Sequence, residues 1–417
     1  MIARRIDAHT ATLSISNAGG AILSFLLTML IGRALGESGL GAYTVALAWT
    51  FPLSLLVDFG LSTLLTRDAA EDPALLPEAL RQAAAQRVVV GGMIAIGLIA
   101  LAPILSEDQT IQRGIVLSAP MVVLLPFFSA FSAVFRARGD MQPVLWLNLG
   151  MLLAQVVLTA VVFMRGGGVL AALAVNTLTS AAQLAAAWAI WRGRYRMPAG
   201  HAGRGARTLL ETLRAGLPFA LAGVFAALNL RLTLILLEAL IEAQAAGMFA
   251  AASRFTEAAK LLPNALFGAL FPALSALAGS PDDLEQVFAR SRRRLLVYGA
   301  AAAGGLLVFA APLVGAVYGE GFTAAVAPLI VLGVGLIPAL LRGGQTLLLF
   351  ALRREAAVNR VNALALVVQL IAALLLIPSS GVVGGALALL IADLAAWVML
   401  VRSARRRAPH DREPESP

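Results

Sequence analysis

The stretch "IGRALGESGLGAY" (Ile31–Tyr43) decides how this chain folds. It places four glycines, Arg33 and Glu37 within thirteen residues, and both flanks are runs of Ala, Leu, Val and Ile. Glycine enters backbone conformations that strain other residues, so a glycine-rich break this short reads as a tight turn. Each flanking run is about 20 residues, enough for a helix to cross a hydrocarbon layer ~30 Å thick. Arg33 and Glu37 are then expected at the headgroup level.

The rest of the chain repeats the pattern. Of 417 residues, 59% are hydrophobic and 13% charged, and the mean hydropathy is +0.85. Soluble domains carry about 25% charged residues. Apolar spans fall at 11–33, 40–66, 86–105, 113–135, 143–164, 169–191, 212–238, 244–277, 294–318, 323–350, 357–377 and 381–401. They predict an all-α polytopic membrane protein of about 12 transmembrane helices. The short alternating segments of a transmembrane β-barrel are absent. The opening "MIARRIDAHT" lacks a small-residue cleavage pattern behind a short apolar core and reads as a retained end. Cysteine is absent, and His9, His201 and His410 all lie in polar segments, so neither a thiolate metal site nor a buried His cluster is expected.

Basic residues orient the spans. With the N-terminus cytoplasmic, the loops on that side hold twenty-five of the thirty-two basic residues, and the opposite loops hold three, Arg33, Arg113 and Arg165. The remaining four, Arg231, Arg254, Lys260 and Arg342, lie inside spans. This is the positive-inside bias, and it predicts that both termini are cytoplasmic; the richness in alanine and arginine hints at a bacterial genome, so the expected location is a bacterial cytoplasmic (inner) membrane. It also accounts for the net charge of +9 without a nucleic-acid partner.

The longest polar, glycine-rich stretch between spans is "RGRYRMPAGHAGRGART" (Arg192–Thr208). It divides the chain into an N-terminal six-helix bundle (1–191), a cytoplasmic linker (192–210), a C-terminal six-helix bundle (211–402) and a basic tail (403–417). The halves echo one another. "LTMLIGRALGES" from Leu27 aligns with "LTLILLEALIEA" from Leu232, and with one added residue "GAY" ending at Tyr43 meets "GMF" ending at Phe249. Both halves start on the same side and cross an even number of times, so the repeat is parallel, about an axis along the membrane normal.

Ile31–Ala70 resembles the opening of the polysaccharide-transporter family, which contains the O-antigen and exopolysaccharide lipid flippases. That family belongs to the multidrug/oligosaccharidyl-lipid/polysaccharide flippase superfamily. The resemblance rests on Gly-Arg-x-Leu-Gly at Gly32, the Gly-x-Tyr ending at Tyr43, and "DFGL" from Asp58 followed by Thr66-Arg67. It continues at Gly247-Met248-Phe249 with "AASRF", at Pro272 and at "GVVGGALAL" (Gly381–Leu389). One departure is clear: the family often carries Arg-x-Asp in span seven, and here Arg231 is followed by Leu232 and Thr233. The resemblance implies two six-helix bundles around a central cavity and alternating access. The cargo it implies is a polyprenyl-diphosphate-linked oligosaccharide moved from the inner to the outer leaflet for cell-surface polysaccharide biosynthesis.

Charges inside the spans point to transport independently. An ionisable group in a span costs at least ~2.5–3.5 kcal/mol, so it faces water or a partner. In "AAASRFTEAAKLLPNALF" of span eight, Arg254, Glu257, Lys260 and Asn264 fall within a ~120° arc of an unbroken helix. Glu257 reaches Arg254 or Lys260 at i,i+3. Arg231 and Arg342 add two further cations, and a diphosphate is the kind of anion that Arg binds bidentately. Arg231, Arg254, Lys260 and Arg342 are therefore the candidate substrate-binding residues, against the alternative that each snorkels to an interface or pairs with a neighbouring helix. Asp58, Glu257, Asn264 and Gln345 are candidate cavity or coupling residues, and for Asp58 a helix–helix bond is the competing assignment. Asn148, Gln155, Asn176, Gln183, Asn229 and Gln369 read mainly as interhelical glue. Prolines such as Pro120 and Pro263 can kink their spans.

No phosphate-cradling Gly-x-x-x-x-Gly-Lys-Ser/Thr occurs, and the outer loops are too short for an enzyme domain, so the chain is not read as an enzyme. No cofactor or metal is expected, and coupling to Na+ or H+ stays open. Expected partners are the lipid-linked glycan, the bilayer and other glycan-assembly membrane proteins, with the chain acting as a monomer. The competing functions are a cation-coupled multidrug antiporter of the same superfamily and a non-transporting scaffold.

Overall fold

The computed structural model describes residues 2–58, 76–194, 227–229 and 231–405, and among them every regular element is helical. Most of the expected linker, the "FGL" and Thr66-Arg67 part of the family stretch, the first turns of span seven and most of the basic tail lie outside the described residues. The N-terminal half contributes α1 (Ile2–Asp58), α2 (Leu76–Leu105), α3 (Gln109–Ser118), α4 (Met121–Ala137), α5 (Gln142–Met164) and α6 (Val169–Arg194). The C-terminal half contributes α7 (231–240), α8 (Ala243–Ala259), α9 (Leu261–Ala276), α10 (Pro281–Tyr318), α11 (Val326–Ala351) and α12 (Glu355–Arg405). Eight helical stretches are long and apolar enough to cross a membrane, and the bent pair α8–α9 makes a ninth.

Two of those stretches are each a pair of spans. In α1 the backbone breaks at Gly36 (φ 68°, ψ −172°), and in α12 at Gly381 (φ 58°, ψ −134°). Both lie in the left-handed half of conformational space that an L side chain resists. The chain reverses there. Beyond Gly381 the two arms pack side by side: Arg354 Nη1 donates to Ser403 O at 3.1 Å, and a Cβ on Gly384 would sit 2.1 Å from Leu376 O. With these breaks counted as turns, and α7 as the visible end of span seven, the expected twelve-helix order is recovered.

Span eight departs from expectation. The expected continuous helix over 244–277 bends by 47° at Lys260, between α8 and α9. Pro263 has no N–H for the carbonyl of residue 259, which frees that acceptor. The Tyr298 hydroxyl takes it, donating to Ala259 O at 2.5 Å. A membrane helix tolerates a proline break where a neighbour satisfies the freed carbonyl in this way. Asn264 therefore does not continue the face of Arg254 and Glu257; it sits beyond the bend and is exposed. Span four, by contrast, runs on as one span through α3 and α4, with Ala119 and Pro120 both in right-handed helical conformation at the join.

Polar side chains tie helices together within each half. Gln155 donates to Asn176 at 2.8 Å, and Asn176 donates to the Tyr43 hydroxyl at 3.0 Å. Gln183 donates to Asn148, Thr50 bonds Ser118, and Asn229 and Gln369 exchange bonds at 2.7 and 2.9 Å. Arg87, counted by sequence among the loop cations, is instead fully buried and ion-paired to Asp58 at 2.7 Å. This helix–helix pair settles where the Asp58 carboxylate points. Removing either partner would strand a buried charge, a loss of about 3–5 kcal/mol.

The halves meet where the repeated motifs cross. A Cβ on Gly41 would lie 1.7 Å from Ala243 O, and one on Gly247 would lie 1.9 Å from Glu37 O. The contact is reciprocal: residues 37 and 41 of one half face 247 and 243 of the other, as a two-fold requires. Glycine at both positions lets the backbones touch, the usual device for close helix packing in membranes. Gly41→Ala and Gly247→Ala are expected to force this end apart. In the cysteine-free chain, a Glu37→Cys/Gln244→Cys pair should be bridged by a short bifunctional thiol reagent. Adding Gly247→Ala should lower the bridged fraction several-fold, and an unchanged yield would show that the crossing does not hold this end closed.

Candidate functional site

The end of the molecule holding Gly36 and Gly381 is the arginine-poor end, and there the halves are clasped. Arg33, exposed beside the turn at Gly36, reaches across to α10: its Nε donates to Val317 O at 2.7 Å and its Nη2 donates to Ala316 O. A cation on the last carbonyls of a helix satisfies acceptors that lack intrahelical donors and opposes the negative end of the helix dipole. Glu37 accepts from Gln244 Nε2 at 2.9 Å. From the other half, Glu238 accepts from Ser106 Oγ at 2.6 Å, just past the end of α2. Glu238 occupies the repeat position of Arg33, so each half extends one side chain to the end of a helix in the other half. The ring of Tyr318 lies over Gly32 and edge-on to Phe255, and it fills the space beneath the clasp.

About two turns deeper than Gly247 along α8 stand the charges that the sequence singles out. Arg254 Nη1 is 2.7 Å from Glu257 Oε2 and 3.4 Å from Ser24 Oγ of the opposite half. Arg231, on α7, places its guanidinium 5.6 Å from the ring centre of Phe51, again in the opposite half. It lies within electrostatic reach of Arg254, Glu257 and Tyr43. Arg231 and Arg254 thus lie within electrostatic range of one another at the seam of the two halves, Arg231 over the arene face of Phe51 and Arg254 paired to Glu257. Lys260 is half-buried at the bend, and its ammonium has no hydrogen-bond or ion-pair partner among the described residues.

Arg342 belongs elsewhere. The sequence reading groups it with the substrate cations, but its Nη1 is 2.6 Å from Asp393 Oδ1 and its Nη2 donates to Asn362 Oδ1 at 2.9 Å. Both partners are on α12, so Arg342 ties α11 to the two arms of that hairpin. Gln345 is buried one turn further along α11. Asp393, Glu238, Tyr43 and Phe51 escape the sequence reading. For the two acids a signal existed, since an acid in or at the edge of an apolar span needs a partner. For Tyr43 and Phe51 none did, because their partners come from other helices.

The solved structures that this chain resembles share its architecture. It is similar to an inward-facing multidrug resistance MATE family transporter of the MOP superfamily, with a TM-score of 0.80 at 14% identity, covering 92% of this chain and 94% of that one. It is similar to the lipid II flippase MurJ in an inward closed conformation, with a TM-score of 0.79 at 14% identity, covering 94% of this chain and 87% of that one. An outward-facing MATE family transporter gives a TM-score of 0.64 at 15% identity, covering 95% of this chain and 94% of that one. At these identities the likeness establishes the fold: twelve helices in two lobes. No curated relative matches the chain. The sequence pattern of the polysaccharide biosynthesis proteins matches residues 8–278, well over half the chain and including the glycine crossing and the charges of α8. The chain belongs to that polysaccharide biosynthesis protein family.

Proposed function

We propose that this protein flips a polyprenyl-diphosphate-linked oligosaccharide from the inner to the outer leaflet of a bacterial cytoplasmic membrane by alternating access. The observation that carries this reading is that Arg231 and Arg254 each reach from the C-terminal half to a residue of the opposite half, Phe51 and Ser24, within electrostatic range of one another. Two guanidiniums placed together in a membrane protein repel one another, and an arriving anion relieves that repulsion. Phosphate oxygens suit guanidinium geometry and retain their charge at all physiological pH values. Lys260, one turn beyond Glu257 and without a partner among the described residues, extends the basic surface toward the arginine-rich end. An organic cation, the cargo of a multidrug antiporter, would be repelled by the same groups. An ion gradient, Na+ or H+, is the proposed energy source.

The clasp sets the state. With the arginine-poor end closed and facing outward, cargo enters from the cytoplasmic leaflet, and breaking the clasp opens the way out. Single cysteines at Ser38, Gly167 and Ser380 should react with a membrane-impermeant thiol reagent on intact cells, whereas one at Ser291 should not. Labelling at Ser291 would reverse the orientation.

Deleting the gene should leave the lipid-linked glycan synthesised but held on the cytoplasmic leaflet; a strain lacking that precursor altogether would place the protein in synthesis instead. At matched membrane abundance, Arg254→Ala and Lys260→Ala should fail to complement the deletion, and Lys260→Arg should complement partly, because the charge survives with altered geometry. Arg342→Ala should fail for a different reason, stranding Asp393. Adding Asp393→Asn should restore part of the function, which would not happen if Arg342 held the cargo.

A further inference from the structure

Building on that reading, we propose that Glu257 is a placeholder for the cargo's phosphate: its carboxylate occupies Arg254 while the site is empty and must leave before the anion binds. Three of the ion pairs among the described residues differ in a telling way. In Arg87–Asp58 both side chains are sealed, at 0% and 17% exposure, and in Arg342–Asp393 they are nearly so, at 16% and 12%. In Arg254–Glu257 the base is 20% exposed and the acid 47%. The guanidinium is anchored between the halves, with Ser24 as a second contact. The carboxylate is the free-moving member. It can swing away without stranding a buried charge, as neither acid of the sealed pairs can.

The chemistry fits exchange. A carboxylate and a phosphate offer the same acceptor oxygens to a guanidinium, so Glu257 holds Arg254 in the geometry that phosphate needs. The displaced carboxylate keeps a partner within reach, the unpaired Lys260 ammonium three residues on. With Glu257 drawn to Lys260, the two charges of Arg231 and Arg254 are left to face the diphosphate. The same carboxylate, returning to Arg254, competes the cargo off once the opposite end opens. Glu257 is thereby a residue that tunes cargo affinity downward and favours release, one the family motifs do not mark.

An internal competitor predicts that its removal tightens binding, whereas loss of a structural residue weakens it. The full-length protein in lipid nanodiscs, titrated calorimetrically with farnesyl diphosphate, distinguishes the two. Glu257→Gln keeps the shape and removes the charge. It should bind about three- to fivefold more tightly than the parent, the range expected for releasing a partly exposed ion pair. Glu257→Asp, which keeps the competitor, should bind within twofold of the parent. Glu257→Gln binding equally or more weakly, in protein that elutes as a single folded species, overturns the proposal. Arg254→Ala and Arg231→Ala report separately on the underlying reading: if both bind farnesyl diphosphate as the parent does, the diphosphate site is not there, whatever Glu257 does.

Discussion

The backbone contact between Gly41 and Gly247 is the constraint on which the rest of the structure depends. Two helices from different halves cross there with no side chain between them. Everything around that crossing is placed by it. Ala245, Ala246, Ala250 and Ala251 are buried against it because only small residues fit beside touching backbones. Arg33 and Glu238 can reach the opposite half only because the crossing brings the helix ends together. Phe25 meets Phe255 edge-on at 5.6 Å, one layer further in. Such a seal is strong in geometry but modest in energy, since in lipid the association rests on packing and a few hydrogen bonds rather than on a hydrophobic drive. A contact of this kind can open and re-form within one transport cycle.

Charges within the bilayer are handled in three ways. Arg87 and Arg342 are cancelled by buried carboxylates and act as rivets within a half. Arg33 is spent on the carbonyls at the end of α10. Among the described residues, the acid close to Arg231 and Arg254 is the half-exposed Glu257, and Lys260 has no partner. The first two arrangements satisfy a charge permanently. The third leaves a positive excess between the halves among the described residues, and such a charge in a membrane protein needs water or a partner.

Much of the fold was legible in the sequence because it is local. Span length, the arginine bias and the glycine turn at Gly36 depend on neighbours in the chain, and the repeat depends on a direct comparison of two stretches. The site was legible only in part. The cations of α7 and α8 stood out as charges in apolar runs, but Arg342 stood out equally, and what separates it from them is Asp393, fifty-one residues away. The bend at Lys260 illustrates the same limit. Pro263 signals a break, yet whether it bends the helix depends on a donor to receive the freed carbonyl, and Tyr298 comes from another span. The target of Arg33 could not be read either, since it lies 283 and 284 residues on. Partnerships between halves leave no periodic trace, because neither residue type nor spacing on one helix specifies what the other half presents.

The two-fold that relates the halves is kept in backbone and dropped in charge, and that division has a physical logic. A rocking motion between two lobes needs matching surfaces, so the glycines at 41 and 247 and the turns at 36 and 241 recur in register. A cargo with one charged end does not need two binding sites, and two cationic faces opposed across the gap would hold the lobes apart. Confining Arg231, Arg254 and Lys260 to the C-terminal half leaves the N-terminal half to present Phe51, Ser24 and Tyr43, which are neutral and polarisable. The lobes can then meet without like-charge repulsion across the gap, because the cations lie on one side of it only.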